Sequence, residues 1–300
     1  MAAIPRDGAF DSTLRLLADP YRFVSTRCAQ HGSDVVETRI MLRRAVCVMG
    51  EDAARAFYHP DRFTRRGAIP ITALLLLQDR GSAATLDGEA HRHRKRMLMS
   101  LMTPDRVQAL GDAVAEAWRE ELGRWEERRR EVVLAREVPR VLCRAVCRWA
   151  GVPLSGAEEG QRTREFVAMY EGAGAVGPRN WLGLLLRTRT ERWARRLITR
   201  IRAGELAVPA GSAAHAIAGH RDLDGEPLRP VHAAVELINV LRPTVAVERF
   251  VTFAALALHE HAESRERLAA GDEPAYLDSF VQEVRRFYPF FPLVGGRARS

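Results

Sequence analysis

The sequence predicts a mainly α fold with a minor β-sheet, organised as a single domain over residues 1–300. Three observations lead there. Helical periodicity dominates: after Pro104 the apolar residues Val107, Leu110, Val114, Trp118 and Leu122 recur at spacings of three and four, with Glu116, Arg119 and Glu120 between them. Strand signals are confined to 35–40 and 44–49. A chain of 300 residues, 47% hydrophobic and 28% charged, is long and apolar enough to bury a substantial core.

Taken in order, the two short apolar runs form a hairpin that turns at Leu42-Arg43. A helix follows Asp87-Gly88 and carries His91 and Lys95, four apart, on one face. Pro104 suits the first turn of the next helix, where its missing N–H has no partner to lose. A further helix over 138–150 is closed by Gly151 and Pro153. Others are expected over 157–171, 188–203 and 213–220, with the Gly- and Pro-bearing stretch 172–181 as a loop. No repeat or low-complexity tract interrupts them.

The composition narrows the function classes. The formal charge of +8 could suit nucleic acid, but the arginines are dispersed among acids, as in Glu126-Glu127-Arg128-Arg129-Arg130, and read as solvated helix faces. Lys95 is the only lysine, and no groove-reading motif is present, so no nucleic-acid partner is expected. No apolar run reaches the eighteen or so residues that a membrane span needs. The N-terminus lacks the order of a signal peptide, so a soluble, cytoplasmic protein is expected. Cys28, Cys47, Cys143 and Cys147 form no C-x-x-C pair and read as buried, reduced thiols. The cluster His259-Glu260-His261 reads as a solvated helix end and not as a metal site.

The stretch 231–259 is the most informative. It reads as one long helix, apolar on nearly every face, and therefore buried in the centre of the domain. Within it stands Leu241-Arg242-Pro243-Thr244. The proline removes an N–H and clashes with the carbonyl of Asn239, at a cost of about 3 kcal/mol, so a kink is expected. Arg242 keeps its charge, and burial demands an anionic partner or several acceptors. Two readings stand side by side: an arginine paired to an acid such as Glu236 or Glu248, or a planar fork that receives a carboxylate in a cavity.

The segment Glu236-Leu-Ile-Asn-Val-Leu-Arg-Pro-Thr-Val-Ala, followed by Phe253-Ala-Ala-Leu-Ala-Leu-His-Glu-His, closely resembles the central helix of the bacterial fatty-acid peroxygenases of the cytochrome P-450 superfamily. Phe280-Val-Gln-Glu-Val-Arg-Arg-Phe-Tyr-Pro-Phe-Phe-Pro resembles their next major helix, with Glu283 and Arg286 in E-x-x-R spacing. Leu86-Asp-Gly-Glu-Ala-His-Arg-His-Arg-Lys and Leu101-Met-Thr-Pro resemble the haem-side helix, and Gly174-Ala-Val-Gly-Pro-Arg-Asn-Trp a loop over the substrate channel. The resemblance implies a cytochrome P-450 fold, haem b as cofactor, and hydroxylation or decarboxylation of long-chain fatty acids at the α or β carbon with hydrogen peroxide, without a reductase. It implies that Arg242 binds the substrate carboxylate. Arg242 and Pro243 then replace the acid–alcohol pair of ordinary members, and the substrate's own carboxylate serves as general acid–base. It assigns Glu283 and Arg286 to bracing the haem-side core, and His91, Lys95 and Arg297 to the haem propionates. Phe287, Tyr288, Phe290 and Phe291, with Leu74, Leu75, Leu76 and Leu77, read either as the wall of an alkyl channel or as plain core.

Two departures from the family pattern stand out. Ala84 occupies a position that is often Gln or His near haem and substrate. More seriously, none of the four cysteines has the glycine two residues later that marks the iron-ligating loop, since Cys28 precedes Ala-Gln, Cys47 Val-Met, Cys143 Arg-Ala and Cys147 Arg-Trp. The expectation is therefore a chain incomplete at its C-terminus and inactive alone. The alternative is a haem-free, catalytically inactive helical protein that binds fatty acids or a protein partner.

Overall fold

The computed structural model describes residues 3–59, 62–64, 67, 70–128, 131–271 and 273–298. They form two compact units, one of residues 1–69 and 289–300, the other of 70–288.

The first unit holds α1 (Thr13–Ala18), α2 (Phe23–His31), β1 (Val35–Ile40), β2 (Arg43–Val48), α3 (Glu51–Phe57), β3 (Phe63–Thr64) and β4 (Arg297–Ala298). The antiparallel pair β1–β2 runs from Val35 opposite Val48 to Ile40 opposite Arg43, and β3 pairs with β4. The hairpin turns one residue earlier than expected. Met41 and Leu42, not Leu42 and Arg43, adopt φ of 52° and 61°. Side chains of the preceding segment hold that unusual turn: Thr13 Oγ1 accepts the Met41 N–H and Asp11 Oδ2 the Leu42 N–H, each at 2.6 Å.

The second unit is all helical: α4 (Ile71–Leu77), a 3₁₀ turn (Ala83–Thr85), α5 (Gly88–Ser100), α6 (Pro104–Arg128), α7 (Leu134–Ala150), α8 (Gly156–Ala173), α9 (Pro178–Arg202), α10 (Ala213–Gly219), α11 (Pro230–Ala246), α12 (Glu248–Glu260), α13 (Ala262–Ala270) and α14 (Pro274–Phe287). The core lies along α7 and α11, which present Val138, Val141, Leu142, Val146, Leu237, Ile238 and Leu241 almost free of solvent. Cys143 and Cys147 share the buried face of α7, and all four cysteines are free and buried. A capping box starts α8: the Ser155 hydroxyl accepts the Glu158 N–H, and the Glu158 carboxylate accepts the Ser155 N–H at 3.0 Å.

Several boundaries and faces differ from the sequence reading. The loop expected over 172–181 is shorter, because Gly177 takes φ 75° and Pro178 occupies the first turn of α9, so Trp181 is helical. On α6 the buried face is rotated: Val107 and Leu122 are exposed, whereas Ala117 and Glu121 are buried. Ala113, Val114, Ala117 and Trp118 pack on Val141 and Ala145 of α7. Glu121 tolerates burial because Arg124 and Arg144 both donate to it, at 2.8 and 3.0 Å. Of the charged run that closes this helix, Glu126 and Glu127 are exposed, and Arg129 and Arg130 lie outside the described residues.

The largest correction concerns 231–259, which is two helices. The path breaks at Val247, four residues past Pro243, where the Val247 N–H reaches back only to Thr244 O. α11 is deeply buried, but α12 is only partly so, with Leu256 exposed. Pro243 has no N–H to give the Asn239 carbonyl, and one turn further on the Val247 N–H makes a three-residue step to Thr244 O. Among the described residues no helix is long and apolar enough to cross a membrane.

Leu76 of α4 inserts between α8 and α9. It is fully buried, and glycine at 172 and 183 makes room for it: a Cβ added at Gly183 would stand 2.8 Å from Ala168 O and 3.2 Å from a Leu76 methyl. Leu76→Ala should therefore lower the unfolding free energy by about 2–5 kcal/mol in urea denaturation. A loss below about 1 kcal/mol would show that this insertion does not anchor α4.

Candidate acid-binding site

A helix that ends inside a protein leaves its last carbonyls without partners. At the end of α4 three consecutive carbonyls are met by side chains from two other helices. Leu76 O accepts from Arg187 Nη1 of α9 at 2.8 Å, Leu77 O from Arg242 Nη2 of α11, and Gln78 O from Asn239 Nδ2 of α11 at 2.9 Å. Asp79 ends the turn with φ 64°, its N–H bound to Leu74 O at 2.8 Å. Two guanidinium groups are thus brought to adjacent carbonyls of one turn.

Arg242 is 6% exposed. Neither acid considered as its partner serves it. Glu236 accepts the Ala83 N–H at 2.7 Å and Arg94 Nη1 at 3.2 Å, and Glu248 accepts the Tyr170 hydroxyl at 3.2 Å. Beyond the Leu77 carbonyl, Arg242 Nε is buried without a hydrogen-bond partner. Burial, and after it the positive charge of Arg187, hold the Arg242 pKa well below the ordinary arginine value. Among the described residues Arg242 thus has one neutral acceptor, the Leu77 carbonyl, and a cationic neighbour, surroundings that favour an anion beside it.

Arg187 is better compensated. Its Nε donates to Glu191 Oε1 at 2.7 Å and lies 3.6 Å from Asp79 Oδ2, while its Nη2 has no partner. Burial, then a hydrogen bond with Asp79, push the Glu191 carboxyl up to about 7. Nothing in the sequence singled out Arg187, Asp79 or Glu191. The one available signal was the four-residue spacing of Arg187 and Glu191, which any surface pair shares.

A second network ties the 3₁₀ turn to α11. Ala83 donates its N–H to Glu236 and its carbonyl accepts from His91 Nδ1 at 2.7 Å. Because a carbonyl can only accept, His91 carries its proton on Nδ1 here. Arg94, 3% exposed, joins Glu236 to Asp222. Ala84 follows in the same turn, partly buried, and Lys95 lies exposed on α5. Among the expected channel residues, Leu76 is core, whereas Tyr288 stacks on Phe253 at 4.8 Å and Phe287 is exposed. Glu283 and Arg286 form the expected pair, with bonds of 2.5 and 2.7 Å, on an exposed face of α14. The other three candidates belong to the first unit. Phe290 and Phe291 pack edge to face at 4.6 Å, the Phe290 carbonyl accepts the Tyr21 hydroxyl, and Arg297 is exposed on β4.

The donor set matches haem b only in part. His91 and Lys95, on one face of α5, are donors of the kind that propionates need, and Arg297, exposed on β4 of the first unit, is by itself a cation of that kind. The thiolate is not matched. Cys143 and Cys147 are fully buried in the core, where its hydrogen bond with Cys143 and its burial hold the Cys147 thiol far above the ordinary range. Burial likewise raises the Cys28 and Cys47 thiols. None of the four is presented as an iron ligand.

No protein-family profile matches the chain. Solved structures do. Cytochrome P450SP alpha (CYP152B1) in complex with (R)-ibuprofen is 48% identical, with TM-score 0.91, over 96% of this chain and 70% of that one. Cytochrome P450EX alpha (CYP152N1) with myristic acid is 37% identical, with TM-score 0.92, over 100% and 72%. A variant of cytochrome P450 OleT in complex with arachidonic acid is 30% identical, with TM-score 0.94, over 99% and 71%. With the helical fold shared along nearly its whole length, the chain belongs to the bacterial fatty-acid peroxygenase family of the cytochrome P-450 superfamily.

Proposed function

We propose that Arg242 binds the carboxylate of a long-chain fatty acid, and that the function served is haem-dependent oxidation of that acid at its α or β carbon by hydrogen peroxide, without a reductase. The observation that carries this reading is the buried Arg242 guanidinium, bound to one carbonyl and no acid, with its Nε unpartnered. A carboxylate supplies what is missing: a charge of opposite sign and acceptor oxygens in the plane of the fork. Myristic and arachidonic acids in the similar structures support an acid of that class.

The roles of this chain's own residues follow. Arg242 fixes the carboxyl end, so the carbons next to it are the ones held in a constant place. Pro243 sets the local path of α11 and offers no proton of its own, so the bound carboxylate is the proton-carrying group at that place. Ala84 adds no hydrogen bond, which leaves Arg242 as the anchor among the proposed substrate contacts; Phe290 and Phe291 are proposed to meet the alkyl chain. His91, Lys95 and Arg297 are proposed to meet the propionates of haem b, which supplies the oxidising chemistry when bound. Glu283 and Arg286 are proposed to brace that side of the fold.

The buried cysteines support a second reading, a haem-free chain that binds fatty acids without oxidising them. Both readings share the acid site, and one experiment separates them from a protein with no such site. Arg242→Gln should weaken binding of a fatty acid by roughly 10–100-fold while leaving the matching alcohol unchanged, measured by titration calorimetry. Equal binding by the variant would remove Arg242 from the site. Haemin added to the 300-residue chain, then reduced with dithionite under carbon monoxide, should give no red-shifted Soret band of a carbon monoxide–haem-thiolate adduct, because each cysteine is held in the interior. The appearance of that band would mean that one of the four reaches the iron and would restore the full enzymatic reading to this chain.

A further inference from the structure

We propose that Arg187, Asp79 and Glu191 form a positioning cluster for Arg242, and that the charge on this cluster sets how tightly the fatty-acid carboxylate is held. The inference rests on the assignment of Arg242 as the acid-binding group.

The geometry joins the cluster to the site. Arg187 and Arg242 grip the neighbouring carbonyls Leu76 O and Leu77 O, so whatever moves one guanidinium along that turn moves the other. The charge of Arg187 already acts on Arg242. Behind this contact, two carboxyl groups converge on one nitrogen: Arg187 Nε is 2.7 Å from Glu191 and 3.6 Å from Asp79. Their side chains are only 24% and 19% exposed. Two carboxyls on one guanidinium nitrogen resist ionising together, and burial with Asp79 beside it pushes the Glu191 carboxyl up to about 7, so a proton is held there near neutrality.

The consequence is a change of sign in the surroundings. With the shared proton, Asp79, Glu191 and Arg187 sum to zero and Arg242 presents a full positive charge. Without it, the cluster carries one negative charge and offsets Arg242. Other charged groups stand on the neighbouring elements. Arg162 and Glu165 of α8 pair with each other at 2.5 Å, with Glu165 also bound to Thr190. On α11, His232 feels Asp79, and burial holds its pKa below the ordinary histidine value. Arg80, Arg192 and His215 of α10 are exposed to solvent. Arg187 also caps α4, a structural duty that by itself has no pH dependence, so the pH profile of acid binding separates the two roles.

The test uses the 300-residue chain with decanoate as ligand and 1-decanol as the uncharged control, by titration calorimetry. For the wild-type chain, decanoate affinity should fall about tenfold between about pH 6 and about pH 8, with decanol unmoved. Glu191→Gln and Asp79→Asn each leave one carboxylate to neutralise Arg187, and both should flatten the decanoate profile at the tight-binding level. A flat profile in the wild-type chain, or an unchanged slope in both variants, overturns the proposal. Arg242→Gln separates the two claims. Loss of the acid preference in that variant, together with a flat wild-type profile, overturns the cluster alone, while unchanged decanoate binding overturns the cluster and the acid site together.

Discussion

Desolvation of charge on α11 governs what the surrounding elements must supply. This helix carries Glu236 and Arg242 into the interior, 1% and 6% exposed, where an uncompensated ion costs several kcal/mol. Glu236 is answered in full, by Arg94 and by the backbone N–H of Ala83. That answer fixes the 3₁₀ turn, which in turn orients His91 through the Ala83 carbonyl. Arg242 is answered by one carbonyl. The two charges stand on one helix in one core, so the difference between them is not a matter of depth. It lies in which partners the neighbouring segments were built to bring.

The end of α4 shows the same economy. A short helix stopped inside a unit needs donors for its last carbonyls, and arginine and asparagine side chains from α9 and α11 provide them. Leu76 holds the helix in place from the other direction, wedged where glycine at 172 and 183 lets the backbones approach. The carbonyl that Arg242 grips therefore belongs to a turn held by side chains from two helices and by the Leu76 wedge. A bound carboxylate would meet a guanidinium whose position is already set, which reduces the ordering that binding requires.

Much of this was legible in the sequence, and the reasons differ by feature. The helical class and the hairpin followed from periodicity, because packing of amphipathic segments depends on spacing, and the buried cysteines from the absence of a C-x-x-C pair. Arg242 was legible because a charge beside a proline within an apolar run breaks two local rules at once. The buried face of α6 was misread because Glu121 is buried by pairing with Arg144, a residue 23 positions away that no local pattern connects to it. The same limit hid Arg187, Asp79 and Glu191: they meet only because α4 and α9 pack, and a single chain does not display which of its many arginines will lose their water. The long helix was read too long because its apolar character continues past the break, which falls at Val247, one turn beyond Pro243.

That delayed break bears on chemistry as well as path. α11 remains helical through Ala246, so Pro243 does not unwind the segment that bears Arg242. Its exposed ring and the Thr244 hydroxyl, which returns to Val240 O at 3.2 Å, leave no free proton donor beside the arginine on that turn. A site so arranged can hold an anion firmly and can do little acid–base work by itself. If the guanidinium captures an acid as proposed, any proton that moves there rides on the ligand, and the proposed cluster makes its affinity depend on the carboxyl pair nearby. On the proposed function, arginine and proline at adjacent positions have one physical result: they transfer the acid–base function from the protein to whatever acid the guanidinium captures.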